Sequence, residues 1–204
     1  MALHDFGDGR GKVPFQVWPN GGGLVEVTLG IPLIHESVYI GPDARVYGYP
    51  TIRDSVVIKD NARVYGNAKI WGNAIIERNS QVFGNARIWG VAKISDSARV
   101  MGNAWITDRA HISGDCRIFG DAVIYDNAVV QDQAKVYSDA RIHGDTVVEG
   151  KAEIYGNAKP YGKEGLKDDG NILIFGGKRY MLQEQHVDPD NNTYFTGPEH
   201  NDNI

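Results

Sequence analysis

NARVYGNAKIWGNA (residues 61–74) states one six-residue phrase twice: Ala, charged, Val or Ile, aromatic, Gly, Asn. A period of six belongs neither to an α-helix, which repeats about every 3.6 residues, nor to a flat strand, which alternates about every 2. The chain must therefore turn once in every six residues. Working outward from this stretch, every sixth residue from Ile40 to Ile154 is Val or Ile, and none is Leu. Two positions before each of these the residue is nearly always Ala, with Val38, Pro50, Val56, Ser80, Cys116 and Thr146 as variants.

Self-similarity at a short fixed period marks a solenoid, and a period of six predicts a hexapeptide parallel β-helix. β-Branched side chains favour strands. The aliphatic residue and the Ala two before it share the inner side of a short strand, and the residue between them points out. Gly, Asp, Asn and Ser follow, types that tolerate left-handed backbone and make turns. Three strands and three turns close an 18-residue triangular coil. Seven such coils, residues 38–163, stack at about 4.8 Å into a prism roughly 30 Å tall. The expected class is all-β: a triangular solenoid with an N-terminal Gly- and Pro-rich cap (1–37), the repeat body (38–163), and a linker, β-hairpin and tail (164–204).

Composition narrows the functions. Of 204 residues, 42% are hydrophobic and 23% charged, and the net charge of −5 gives no global basic field to recommend nucleic acid. A single cysteine, Cys116, leaves no intramolecular disulfide and no zinc knuckle. The opening MALHDFGDGRGK lacks an apolar signal core, and no run of 18 apolar residues occurs. The expectation is a cytoplasmic protein with no membrane partner, or a component of a phage particle or its host's cytoplasm if phage-encoded.

The repeat resembles the hexapeptide-repeat proteins, whose fold is a left-handed parallel β-helix; the left hand comes from that resemblance, since the general crossover rule favours the right. The strings DARVYG (43–48), NARVYGNA (61–68), NARIWG (85–90) and AEIYGNA (152–158), preceded by HDFGDGRG (4–11) and NGGGLVE (20–26), are most similar to a little-characterised DARVYGN-repeat family of bacteria and phages. The resemblance covers residues 4 to 163. It implies fold rather than activity.

Residues 18 apart stack on one side of the prism, so the outer positions sort into columns. After the aliphatic residue, side one carries Tyr47, Tyr65, Phe83, Met101, Phe119, Tyr137 and Tyr155. Side two carries Arg53, Trp71, Trp89, Thr107, Tyr125, His143 and Tyr161, and side three is polar. Before the aliphatic residue, side one presents a basic stripe that includes Arg45, Arg63, Arg99 and Arg117. Side three presents Val57, Ile75, Lys93, His111, Val129 and Val147, mostly apolar. Monomers seldom leave such a stripe in water, which predicts a homo-oligomer, a trimer by preference, packed through side three. The arginine and aromatic columns suit a protein or glycan partner, with nucleic acid or nucleotide ranked lower.

Little chemistry is encoded. Hexapeptide acyltransferases usually carry a catalytic His and a loop that interrupts the helix, whereas this repeat runs unbroken. His111 and His143 alone lie within it, on different sides, as weak candidates for a base in a site between subunits. No three-histidine zinc set, Walker spacing or GGxGxD calcium turn occurs, so neither metal nor cofactor is expected. The acidic turn residues Asp54, Asp60, Asp96, Asp108, Asp126 and Asp132 read as turn formers. At the far end Pro160 takes an aliphatic position, which ends the pattern, and NILIFGGKRYMLQ (171–183) predicts a hairpin. The favoured function is a non-enzymatic structural or interaction module: a virion or tail component, or a binder that counters host defence. The alternatives are an acyl-CoA-dependent acyltransferase and a nucleotide- or glycan-binding sponge.

Overall fold

The computed structural model describes residues 2–27 and 32–159, and beyond them the backbone of strands Leu166–Asp168, Ile172–Phe175, Lys178–Met181, His186–Val187 and Thr193–Tyr194. The body is a left-handed triangular solenoid of about seven 18-residue coils. Its sides are three parallel sheets. Nearly every strand is two residues long, an outward residue followed by a buried Val or Ile. Pairing is in register at a step of 18: Lys69 opposite Arg87 and Ile70 opposite Ile88 on side two, Ile75 opposite Lys93 and Ile76 opposite Ile94 on side three. A slip of one residue would turn the whole aliphatic set outward, so the core fixes the register.

That core is uniform. Ile40 through Ile154 at every sixth position, and the small residues two before them, are all inaccessible to solvent. The polar variants are accommodated locally: the hydroxyl of Ser80 donates to the Glu77 carbonyl at 2.7 Å, and that of Thr146 to the His143 carbonyl at 2.6 Å. Cys116 is buried among apolar neighbours, and burial pushes its thiol up to about 12, which leaves it an inert filler.

The turns explain the aspartates. Asp54, Asp60, Asp96, Asp108, Asp126 and Asp132 all have positive φ, between 55° and 64°. Each directs a carboxylate oxygen to the backbone N–H of the residue one coil ahead, as in Asp96 to Gly114 N at 3.1 Å and Asp126 to Gly144 N at 3.0 Å. A short acidic side chain tolerates the left-handed backbone. Here it also satisfies a turn N–H that no strand can reach.

The N-terminal cap is a meander. Leu3–Asp5 and Lys12–Val17 pair antiparallel around the glycine-rich turn, Lys12–Val17 pairs with Leu24–Glu26, and Leu24–Glu26 joins side one beside Arg45–Val46. Gly21 and Gly23 lie against the first coil so closely that a Cβ on either would stand 2.3 Å from Ile40. Buried Glu26 accepts two hydrogen bonds from Arg10, at 2.9 and 2.7 Å, and one from Gly48 N at 2.8 Å. Ile34 continues the repeat register on side two, opposite Ile52.

At the other end the strand pairing runs past Pro160. Leu166 lies opposite Val148, still 18 residues on, and Ile172–Phe175 then joins side one beside Glu153–Tyr155. Ile172–Phe175 and Lys178–Met181 pair antiparallel, the hairpin predicted from sequence. Pro160, Tyr161, Gly176 and Gly177 lie outside the described residues, as do the side chains of Phe175, Tyr180 and Met181.

Candidate functional site

Register dictates the outer surface as firmly as the core. Because like positions recur one strand spacing apart, the aromatic columns stack. On side one Tyr47 and Tyr65 lie 4.8 Å apart and 4° from parallel, and Tyr65 and Phe83 lie 4.7 Å apart. Met101 interrupts the column. It resumes with Phe119 and Tyr137 at 4.8 Å, and Tyr137 and Tyr155 at 5.0 Å. Phe6 of the cap adds a tilted ring at 5.0 Å from Tyr47. Burial pushes the phenols of Tyr47 and Tyr137 up to about 12, with Tyr65 adding at the first and Glu153 at the second. Both therefore stay protonated donors near neutrality.

Beside these rings stands the basic column. Arg45 pairs in register with Arg63, Arg99 with Arg117, and Arg117 with Lys135. Gln81 separates the two arginine pairs and accepts a hydrogen bond from the Tyr65 hydroxyl at 3.3 Å. Lys135 is neutralised by Glu153. No carboxylate among the described residues forms an ion pair with Arg45, Arg63, Arg99 or Arg117. Arg45 with Arg63, and Arg99 with Arg117, thus form two like-charged pairs at strand spacing that no described carboxylate neutralises, an arrangement that disfavours the free protein.

Arginines beside aromatic rings suit cation–π contacts. Among the described residues they lie on side two, where Arg53 covers Trp71 at 5.6 Å and Arg87 covers Trp105 at 5.0 Å. The reason is register: Arg53 and Arg87 each stand in the same column as the ring they cover, one coil before it, whereas the side-one ring column contains no arginine. On side two Trp71 and Trp89 stack at 5.2 Å, Thr107 breaks the column with a buried hydroxyl that has no partner among the described residues, and Tyr125 resumes it against His143 at 5.0 Å.

On side three Val57, Ile75, Val129 and Val147 are half-buried, as are Lys93 and His111 between them. Glu77, with a side chain 8% exposed, gathers Lys59 at 2.9 Å and Lys93 at 2.8 Å. Burial pushes its carboxyl up, but the two ammonium groups outweigh burial and the net direction is down.

The candidate bases are not brought together. His111 faces Lys93 and Val129 in adjacent strands of side three, and burial, reinforced by Lys93, holds its imidazole below the ordinary value. His143 belongs to the side-two stack. Among the described residues no group of three or more His, Cys, Asp or Glu converges as a metal ion would require.

No family model, no curated protein and no solved structure matches this chain. Its fold rests on its own geometry.

Sequence columns missed the exposed rings of Tyr49 and Trp105, at 64% and 39% exposure. Each is an exception in its own column. Tyr49 heads a column that continues as Asn67, Asn85, Asn103 and Asp121, and Trp105 follows Lys69 and Arg87. A departure from the repeat on the outside was the available signal.

Proposed function

We propose that this chain is a non-enzymatic interaction module, a rigid shaft whose side one docks an acidic surface of a partner protein. The observation that carries this reading is the column Arg45, Arg63, Arg99 and Arg117, in register and without ion pairs among the described residues. A rigid solenoid fixes the backbone of the column before binding, and acidic groups of a partner would relieve the repulsion along it. The flanking rings of Tyr65, Phe83, Phe119 and Tyr137, half-buried in their stacks, offer apolar edges of the kind that anchor interfaces, whereas Tyr47 is buried beneath the cap. The dispersed positions of His111 and His143 favour this over an acyltransferase.

Assembly through side three, into a trimer, fits the same scheme: Val57, Ile75, Val129 and Val147 would be covered while side one stays free. The scheme has a cap over 1–37, a shaft over 38–163 and an appendage over 164–204. It suits a cytoplasmic or virion-associated protein of bacterial or phage origin.

A photo-crosslinking residue at position 99 tests the docking face in cells, against one at position 129. Position 99 should capture a protein with an acidic surface, and Arg117→Glu should abolish the adduct. Position 129 should crosslink only to another copy of the chain. Saturable acyl-CoA binding that His111→Ala removes would overturn the reading in favour of the enzyme.

A further inference from the structure

At the corner between sides one and two lies an open groove of about 620 Å³. Two columns wall it, each rising one strand spacing per coil. One is Tyr49, Asn67, Asn85, Asn103 and Asp121; the other is Lys69, Arg87 and Trp105. The first covers four strand spacings, roughly 19 Å. From this groove we infer a binding site for an extended acidic oligosaccharide, on a surface that the side-one reading does not use.

The asparagines form a hydrogen-bonded ladder. Asn67 Nδ2 donates to Asn85 Oδ1 at 3.4 Å, Asn85 Nδ2 to Asn103 Oδ1 at 3.1 Å, and Asn103 Nδ2 to Asp121 Oδ1 at 3.0 Å. The carboxylate of Asp121 can only accept, so the direction of the whole ladder is set from that end. Each inner carboxamide spends one N–H and one lone pair on the ladder and keeps one of each. All four ladder residues are exposed. The result is a row of donor–acceptor pairs at even spacing, rigid before any ligand arrives. A sugar hydroxyl both donates and accepts, so a row of hydroxyls matches it; a phosphate, which needs donors alone, does not.

The remaining groups fit the same ligand. Pyranose rings carry one apolar C–H face, and such faces lie on exposed aromatic rings. Tyr49 and Trp105 stand at the two ends of the groove, three coils apart, which suits a chain of sugars and not a single base held between rings. Lys69 forms no ion pair among the described residues, and Arg87 is held over Trp105 at 5.0 Å. Two cations against one carboxylate give the groove a positive balance in a chain of net charge −5. That selects a saccharide bearing carboxylates over a neutral one.

Titration of the full chain with tetragalacturonate, read by calorimetry and tryptophan fluorescence, tests the inference. Saturable binding is expected, at least about tenfold tighter than cellotetraose, the equivalent of one charge-assisted hydrogen bond. Trp105→Ala should weaken it about tenfold and Tyr49→Ala by a smaller factor. Both side chains are exposed, so circular dichroism should be unchanged. Lys69→Met should erase the preference over cellotetraose. No saturable binding, binding indifferent to both aromatic variants, equal affinity for cellotetraose, or tighter binding of adenosine monophosphate at the same site would each overturn it.

Discussion

Sides one and three of the prism are built by the same rule and settle their charges differently. On side three Lys59 and Lys93 converge on Glu77, which is almost fully buried between them. On side one Arg45 stacks on Arg63 and Arg99 on Arg117, and no described carboxylate answers them. Identical backbone, identical spacing and like charges thus end in a closed network on one face and an open one on the other. Where a column is neutralised from within, its charges serve the fold. Where it is left open, no described residue neutralises it.

The largest expected effect is indifferent to that contrast and calibrates it. Ile88→Ala, in the shared core, should cost about 2–5 kcal/mol in urea unfolding. Glu77→Gln should come next, lowering Tm by several degrees at low salt and by less at high salt, as the two lysines lose their common partner. Arg117→Gln should act with the opposite sign: a small gain in Tm at low salt that vanishes on screening, within about 0.5 kcal/mol. If Arg117→Gln destabilises as Glu77→Gln does, the two faces are alike and the contrast fails.

Acid should act on the charges that are paired within the chain. Asp8 is held below the ordinary range chiefly by Arg10, and Asp96 by the Gly114 N–H and then Arg78. Glu77 is also lowered, its lysines overcoming burial. Groups lowered on folding give stability that is full above the unfolded carboxylate range, near pH 4, and lost as pH falls through their lower folded values. His111, lowered by burial, should add an earlier and smaller decline that begins as pH falls through about 6.5, where the unfolded imidazole takes up a proton. Unfolding midpoints from pH 8 to pH 2 should show both declines, and His111→Asn should remove the first alone.

The fold was legible because its determinants are collinear with the chain. Ile70, Ile88 and Ile106 recur at fixed intervals, and their burial needs no partner beyond the same position one coil away. Ile34, outside the strict repeat, could be placed by extending the count. The stacks Tyr47–Tyr65 and Trp71–Trp89 were readable for the same reason.

Contacts between columns were not legible. Glu77 reaches Lys93 from a different column, and Trp105 borders the asparagine corner across the turn. Such pairs depend on where side chains lean, which a period of six does not encode. The basic stripe was visible as composition, but its freedom from ion pairs was not, because Glu153 neutralises Lys135 and leaves the arginines above it alone.

Glu26 has a consequence beyond anchoring the cap. Its carboxylate accepts the N–H of Gly48 just as each turn aspartate accepts the N–H one coil ahead. The cap therefore counterfeits a preceding coil: where it meets the shaft it supplies the kind of carboxylate acceptor that the turn aspartates supply further along. In-frame duplication or loss of one lap's coding sequence within the body would leave both ends undisturbed. Length is then an evolvable dimension, adjustable in whole laps without redesign of the start.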